Sequence, residues 1–176
     1  MNTLQIVIVI IGAIVVLFFF VAALMPSEKK LERSIIINRP AAGIYALVSD
    51  FHNYKKWNPW SERDPEAKSE ISGKPHEIGH RWSWDGKVIG SGELKIKELD
   101  QDRYILSDLI FLSPKKMEAE DYWQFEPIGE DKTKVTWGHI SDLRFPTERY
   151  FGLFLGRMLG SDFEKGLQNL KQLSER

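Results

Sequence analysis

The sequence has no cysteine, which excludes disulfide bonds, thiol catalysis and cysteine metal sites but leaves the cellular compartment open. It also has no surplus of positive charge: the formal net charge is -1, so no nucleic-acid-binding surface is predicted. Two catalytic signatures are missing as well. The stretch GKVIGSG lacks the Gly-Lys-Ser/Thr of a phosphate-binding loop, and Ser91 lies outside the Gly-x-Ser-x-Gly frame of a nucleophile elbow. Gly90 and Gly92 instead predict a bulge or bend in a strand.

Charge is absent from residues 6–25, which read IVIVIIGAIVVLFFFVAALM. A helix of this length rises about 30 Å, enough to span the hydrocarbon core of a bilayer. A cleaved signal peptide is the alternative, and it would need a basic leader, a shorter apolar run and a small-x-small cleavage site. The leader MNTLQ has no Lys or Arg, and VAALMPS fits a cleavage site poorly. The sequence therefore predicts an uncleaved transmembrane anchor over residues 1–26.

Basic side chains follow the apolar segment and none precedes it. The ones that follow most closely are Lys29, Lys30, Arg33 and Arg39. The positive-inside rule then predicts a single-pass protein, in a membrane such as the bacterial inner membrane, with its C-terminal part in the cytoplasm. A short linker over residues 27–31 would keep a soluble domain, residues 32–176, close to the bilayer surface.

The soluble part is predicted to contain few helices and many strands. The β-branched run ERSIIIN ends at Pro40, which suits the first turn of a short helix that continues to about Val48. FHNYKKW predicts a second short helix or turn, and SERDPEAKS predicts a polar loop. From about residue 68 to residue 139, alternating segments separated by turn signals predict an antiparallel meander. Together with the first run, this gives six or seven strands.

From Pro146 onwards the apolar period changes to 3.6, which predicts one long C-terminal helix. Its apolar face carries Leu155, Leu159, Phe163, Leu167, Leu170 and Leu173. Gly152, Gly156 and Gly160 lie on the N-terminal half of the same face. Glycine inside a helix costs up to about 1 kcal/mol relative to alanine, so three on one face need a reason. Either they allow tight contact with the sheet, or they leave a void between helix and sheet.

These elements predict an α+β fold in which the sheet curls around the only large amphipathic helix. Their order resembles the START-like, or SRPBCC, superfamily with its helix-grip fold, and in detail its polyketide cyclase/dehydrase-type branch. The resemblance rests on INRPAAGIYALVSDFHNYKKWNPW, GSGELKI, FLSP, YWQFEP, TKVTW and GLQNLK. It implies a seven-stranded antiparallel sheet that grips the long helix around an apolar cavity. Many members of this superfamily bind lipids or other hydrophobic small molecules, and a minority are enzymes. The anchor lies outside the family pattern.

The resemblance also places the NYKKWNPW segment near the cavity entrance. Trp57 and Trp60 would then be rim residues, although they could simply cap the open end of the sheet. Strand alternation puts the aromatic-rich face on the concave side, because aromatic rings gain most from burial. Alternation does not decide the face of RYILSDLIFL, where the family pattern favours Leu109 and Phe111. The predicted ligand cavity is thus formed by Trp57, Trp60, Trp82, Trp84, Leu109, Phe111, Trp123, Phe125, Trp137, Gly152, Gly156, Leu159 and Phe163.

Candidate catalytic groups are few. If Asp108 and Asp121 faced each other on the sheet, they could share a proton, but a change of one residue in turn length would separate them. His139, Asp121 and His80 are the remaining acid/base candidates. His76 and His80 are four residues apart, but Pro75 and Gly79 argue against a helix, so no metal site is predicted. No cofactor is predicted either.

Three hypotheses for function follow. The first is a membrane-tethered module that binds a hydrophobic or amphipathic small molecule, lipid included. The second is an enzyme of the cyclase or dehydratase kind, and the third is an interaction protein with a filled cavity. An open void lined by Trp82, Trp123 and Trp137 would favour binding. Binding is preferred to catalysis because no acid/base pair stands out. The oligomeric state is not predicted.

Overall fold

The computed structural model describes residues 2–176, which form an N-terminal helix and an α+β domain. The elements are α1 (Thr3–Leu24), β1 (Glu28–Ile37), α2 (Ala41–Val48), α3 (Phe51–Tyr54), α4 (Pro59–Arg63), β2 (Lys68–Ser72), β3 (Arg81–Gly86), β4 (Gly90–Asp100), β5 (Tyr104–Ser113), β6 (Met117–Pro127), β7 (Thr133–Asp142) and α5 (Thr147–Ser174). Asn2 and Gln5 begin α1 with a reciprocal capping box. By length and composition, α1 is able to cross a membrane.

A single seven-stranded antiparallel sheet forms the centre of the domain, with the strand order β1-β7-β6-β5-β4-β3-β2. Each strand from β3 to β7 therefore lies beside its predecessor, and β1 closes the edge next to β7. Register shifts between Ser91 and Gly92, and between Ile96 and Glu98, mark irregularities in β4. The first confirms the bulge predicted from the glycines of GSG. The sheet and the long terminal helix confirm the predicted helix-grip fold.

The register brings several turns to one end of the sheet. Glu28 at the start of β1 pairs with Asp142 at the end of β7. The β3–β4 turn and the β5–β6 turn lie at the same end, because Gly86 pairs with Gly90 and Ser91 with Ser113. We call this the anchor end of the domain, since α1 leads into it. The β4–β5 and β6–β7 turns lie at the opposite end.

Helix α5 packs across the concave face of the sheet. Leu155, Phe163, Leu167 and Leu170 are all buried, as the 3.6 period predicts. Of the two explanations for the glycines of α5, close contact holds at Gly152, because a Cβ on Gly152 would lie 2.4 Å from Leu143 Cδ1.

Two local predictions need correction. Residues 28–31 are not part of a linker: they pair with Asp142–His139 as the start of β1, so only residues 25–27 separate helix α1 from the sheet. The predicted polar loop SERDPEAKS, residues 61–69, begins inside the short helix α4 (residues 59–63) and ends inside β2. The side chain of Asn58 accepts a hydrogen bond from the Trp60 N–H, and Pro59 occupies the first turn, where its missing N–H costs nothing.

Candidate functional site

A cavity of about 240 Å³ lies between the sheet and the middle of α5. Seven residues of the predicted cavity line it: Trp60, Trp82, Trp84, Leu109, Phe111, Leu159 and Phe163. They come from α4, β3, β5 and α5, and strand alternation points those of the sheet to the concave side. The volume is just below the range of about 300–1,000 Å³ that is usual for drug-sized ligands. The cavity therefore suits a small ring system or part of an acyl chain.

The other predicted cavity residues do not line this space. Trp123, Phe125 and Trp137 are buried in the core behind it. Gly152 contacts Leu143, and Gly156 has no neighbour within 4 Å of an added Cβ, but neither glycine borders the cavity. The void is therefore produced by the spacing of large side chains rather than by the glycines themselves.

The two tryptophans of NYKKWNPW have different environments. Trp57 is fully buried, with its ring 4.6 Å from that of Tyr54 and 5.5 Å from that of Trp123, so it belongs to the core and not to the rim. Trp60 is partly exposed and lines the cavity beside Phe163. Asn58 caps the N-terminus of α4, so Trp57 lies before the helix and Trp60 lies within it.

An aromatic stack closes the inner end of the cavity. The ring centroids of Trp123 and Trp137 are 4.6 Å apart, and those of Trp137 and Phe163 are 4.0 Å apart, both in stacked geometry. The gap between α5 and the sheet is thus filled by this stack and open beside Leu159 and the adjoining side of Phe163.

The mouth of the cavity contains residues that the sequence reasoning missed. Val88 and Ile89 come from the β3–β4 turn, and Arg63 comes from the last turn of α4. The Arg63 guanidinium is half-exposed and lies 2.5 Å from the Asp162 carboxylate of α5. Helical spacing from Trp60 would have indicated Arg63, had residues 59–63 been predicted as helix. Leu94 also lines the cavity and pairs with Trp82 on the neighbouring strand. The alternation of β4 could have indicated this position.

A buried polar chain forms one wall of the cavity. Asp121 and His139 are cross-strand partners, and the Asp121 Oδ1 lies 2.6 Å from the His139 Nδ1. The His139 Nε2 lies 2.6 Å from the Ser141 Oγ. The Trp137 indole N–H donates to the other Asp121 oxygen at 3.4 Å. Ser141 was missed by sequence reasoning, although its i+2 spacing from His139 in a strand places both on one face.

These hydrogen-bonded side chains have the order Asp–His–Ser, but the Ser141 hydroxyl does not face the cavity. Ser141 is buried and does not border the cavity, whereas Asp121 and His139 do. Both ring nitrogens of His139 already have partners. A ligand in the cavity would therefore meet the ring of His139 and the edge of Asp121, with no free imidazole nitrogen.

Tyr54 adds a hydroxyl to the cavity lining. Burial, followed by the negative charge of Asp121, raises the pKa of Tyr54 well above its usual value, so the phenol stays protonated. It can donate a hydrogen bond to an oxygen of a bound molecule.

Two acid/base candidates lie elsewhere. Asp108 pairs with Glu120 and lies 3.5 Å from the Lys97 ammonium on the outer face, while Asp121 faces inward, so the carboxylate pair does not exist. His80 is fully buried and does not line the cavity. Its Nε2 accepts a hydrogen bond from the Phe51 N–H at 3.0 Å.

His80 also belongs to a cluster with Asp50 and His52, whose potential ligand atoms lie within 4.8 Å of one another. The cluster is a hydrogen-bond network, because the His52 Nδ1 lies 2.7 Å from Asp50 and the His80 Nε2 lone pair is used by the Phe51 N–H. His76 contacts the Ser49 hydroxyl through Nδ1 at 2.6 Å instead of joining His80.

Together, the curved sheet, the gripping helix and the apolar cavity define a helix-grip domain of the SRPBCC type. Residues 28–175 match the family described as Polyketide cyclase / dehydrase and lipid transport, and the chain belongs to this family. The anchor helix lies outside the matched region. A search of curated protein sequences gives no significant match.

Solved structures show the same fold at low sequence identity. The Zhui aromatase/cyclase from Streptomyces sp. R1128 is 15% identical, with a TM-score of 0.64 over 85% of this chain and 94% of that one. A solution structure from Thermobifida fusca is 20% identical, with a TM-score of 0.63 over 82% of this chain and 92% of that one. An HSP90 activator from Plasmodium falciparum is 14% identical, with a TM-score of 0.58 over 82% of this chain and 95% of that one. These likenesses establish the fold alone.

Proposed function

We propose that this protein is a membrane-tethered module that binds a hydrophobic or amphipathic small molecule, lipid included, in the cavity between the sheet and α5. The observation that carries the proposal is the open, largely apolar cavity of about 240 Å³ beside Leu159 and Phe163 of α5. The interaction-protein hypothesis requires a filled gap, and the open cavity argues against it. Membership of a family described by lipid transport supports the same proposal.

The tether is the helix α1. Its 22 residues rise about 33 Å, which exceeds the hydrocarbon thickness of a bilayer, and its apolar side chains are exposed over almost the whole length. The basic residues after α1 favour a cytoplasmic location for the domain.

Binding would be driven by desolvation. An apolar ligand gains about 25 cal/mol for each Å² of apolar surface removed from water, and the tryptophan and leucine side chains supply that surface. The Tyr54 hydroxyl and the Asp121 carboxylate inside, together with the Arg63 guanidinium at the mouth, would orient an amphipathic molecule.

Native mass spectrometry of the full chain, released from detergent micelles, tests this proposal. We expect the wild-type protein to carry an additional apolar molecule, either from the cells or after incubation with a lipid extract of their membranes. Leu159→Trp should lose it, because the larger ring fills the cavity. Ile36→Trp adds an equally large ring on the exposed outer face of β1 and should retain it. Absence of a bound molecule from wild type after both treatments would contradict the proposal.

A second candidate is an enzyme of the cyclase or dehydratase kind, favoured by one observation: Asp121 and His139 form a 2.6 Å contact at the cavity wall. Against it, the Ser141 hydroxyl occupies the other imidazole nitrogen. A dehydratase removes one water from its substrate, so the molecule bound to His139→Gln should be heavier by one water than that bound to wild type. Identical masses in the two proteins would exclude the dehydratase, and identical fragmentation of the two bound molecules would exclude a cyclisation, which leaves the mass unchanged.

A further inference from the structure

Helix α1 does not stand free of the domain. The Arg149 guanidinium, in the first turn of α5, donates from Nη1 towards the carbonyl oxygens of Ala22, Ala23 and Met25 at 3.0, 3.4 and 3.2 Å. The last carbonyls of a helix have no partner within it and form the negative end of its dipole, so a guanidinium is well suited to this position. The contact fixes the end of α1 against the start of α5.

A second set of contacts shows how far the start of α5 extends along α1. The Tyr150 hydroxyl donates to the Phe18 carbonyl at 2.7 Å, and the two rings stack with centroids 4.8 Å apart. Phe145 approaches Phe19 at 5.9 Å. Phe18 precedes the end of α1 by six residues, which corresponds to about 9 Å along the helix axis. The first turn of α5 therefore lies beside the last two turns of the membrane helix.

The anchor end of the domain carries exposed apolar side chains on α5 and on two turns of the sheet. Phe151, Phe154 and Met158 follow the spacing i, i+3 and i+7 along one side of α5. Asp162, one turn further on the same side, contacts Arg63 at the cavity mouth. We define the docking surface as six residues, which are between 37% and 65% exposed: Val88, Leu112, Phe145, Phe151, Phe154 and Met158. Exposed apolar patches of this kind on a domain surface mark interaction sites.

We propose that the docking surface inserts into the headgroup–acyl boundary of the bilayer that α1 crosses, so that the cavity mouth opens against the membrane and receives its ligand from the lipid phase. We infer that the docking surface contacts lipid because it is continuous with the contact between α5 and α1. A segment packed beside the last two turns of a membrane helix lies at the level of the headgroup–acyl boundary. The inference rests on the proposed tethering and binding function.

The arrangement of turns agrees with this placement. Val88 in the β3–β4 turn and Leu112 near the β5–β6 turn both lie at the anchor end of the sheet. The Lys115 ammonium of the β5–β6 turn lies 2.5 Å from the Glu148 carboxylate, which joins that turn to the start of α5. Arg144 and Arg157 are exposed next to the apolar positions and can pair with anionic headgroups.

Site-directed fluorescence tests the docking. The wild-type chain has no cysteine, so Phe154→Cys and Met158→Cys each provide a single labelling site on the full chain. Each variant is labelled with bimane and reconstituted in vesicles of phosphatidylcholine and phosphatidylglycerol. The lipids carry no bromine, bromine near the top of the acyl chains, or bromine near the ends of the chains, which reaches a label in the middle of the bilayer. Gly12→Cys, in the middle of α1, provides a reference inside the membrane. Gln101→Cys, in the β4–β5 turn at the opposite end of the domain, provides a reference in water.

We expect brominated lipid to remove most of the fluorescence at positions 154 and 158 and to leave position 101 unchanged. Labels at 154 and 158 that behave like the one at 101, with the label at 12 quenched, would overturn the docking while leaving the tether intact. An unquenched label at 12 would overturn both the tether and the docking. Quenching at 154 and 158 without a bound molecule in native mass spectrometry would support the docking and contradict the binding function.

Discussion

Two buried histidines show how the same side chain acquires different roles from its neighbours. His139 faces the cavity with both nitrogens engaged by Asp121 and Ser141. His80 lies away from the cavity, stacked on Phe51 at 4.8 Å, and connects α3 to the end of β2. Its Nδ1 lies 3.2 Å from the Ser72 carbonyl and its Nε2 accepts from the Phe51 N–H, which defines the neutral ring with the proton on Nδ1.

His80 should make the stability of the protein depend on pH. Burial lowers the pKa of His80 below its ordinary value of 6.5, against the opposing effects of the Gly73 and Ser72 backbone and the Asp50 carboxylate. Between the lowered pKa and 6.5, the unfolded chain binds more protons than the folded one. The stabilisation is therefore complete above 6.5 and decreases as the pH falls below it.

His80→Gln tests this dependence, because glutamine offers an acceptor for the Phe51 N–H but does not titrate. We expect the melting temperature of the full chain in detergent to fall more steeply from about pH 7.5 to about pH 5.5 for wild type than for the variant. His52, the other histidine of this cluster, remains in both proteins, so its contribution cancels in the comparison. If the melting temperature falls equally steeply with pH in the two proteins, His80 does not cause this pH dependence.

At the scale of elements, the glycines of α5 are not equivalent. An alanine Cβ at Gly152 would lie 2.4 Å from Leu143 Cδ1 in a buried contact, whereas at Gly156 it would meet no atom within 4 Å. Overpacking a buried contact costs typically about 1–3 kcal/mol, while replacing an unhindered helical glycine by alanine gains up to about 1 kcal/mol.

We therefore expect Gly152→Ala to lower the melting temperature of the full chain and Gly156→Ala to raise it by roughly 2–4 °C. Gly160→Ala is an internal comparison with a small expected change, because its Cβ would meet only the flexible end of Arg33. Thermal unfolding by circular dichroism measures all three. A loss of stability in Gly156→Ala as large as that in Gly152→Ala would show that both glycines provide close contact.

The elements themselves could be predicted because each carries its own period. Alternation in β3 to β7 and the 3.6 period of α5 gave the sheet and the helix correctly. They did not give the face of Leu109 and Phe111, for which only the family pattern favoured the concave side. Trp57 and Trp60 could not be separated in this way, since both lie in a segment without a period. Their environments depend on the short helix α4, whose start is fixed by the Asn58 cap and by packing against α5.

The site was less predictable than the fold because its main features depend on contacts between distant strands. Asp121 faces His139 only because β6 and β7 pair in one register, and a shift of one residue would have turned either side chain outward. The position of the void could not be read from the glycines, since void volume depends on how large side chains from four elements fit together. The contacts of Arg149 and Tyr150 with α1 have no sequence signal beyond a basic and an aromatic residue early in α5.

At the scale of the whole molecule, one end of the domain combines three features. The chain enters from α1 there, most of the exposed large apolar side chains of the domain lie there, and the cavity opens there. Only residues 25–27 separate α1 from β1, so the domain has little freedom to turn away from α1. If the domain is docked on a membrane, a ligand that partitions into the membrane reaches the cavity without crossing water. The apolar residues at the cavity mouth are then covered by lipid and do not lower the solubility of the protein.

This arrangement requires the domain to be on one defined side of the membrane. Basic residues lie only after α1, which predicts a cytoplasmic domain and a short N-terminal tail on the outer side. In bacterial spheroplasts that express single-cysteine variants, an impermeant maleimide should label Thr3→Cys and leave Gln101→Cys unlabelled until the membrane is permeabilised. Because both sites are exposed, permeabilised samples labelled at both positions provide the control. Labelling of Gln101→Cys in intact spheroplasts would reverse the orientation, and the ligand would then have to come from the outer leaflet of the membrane.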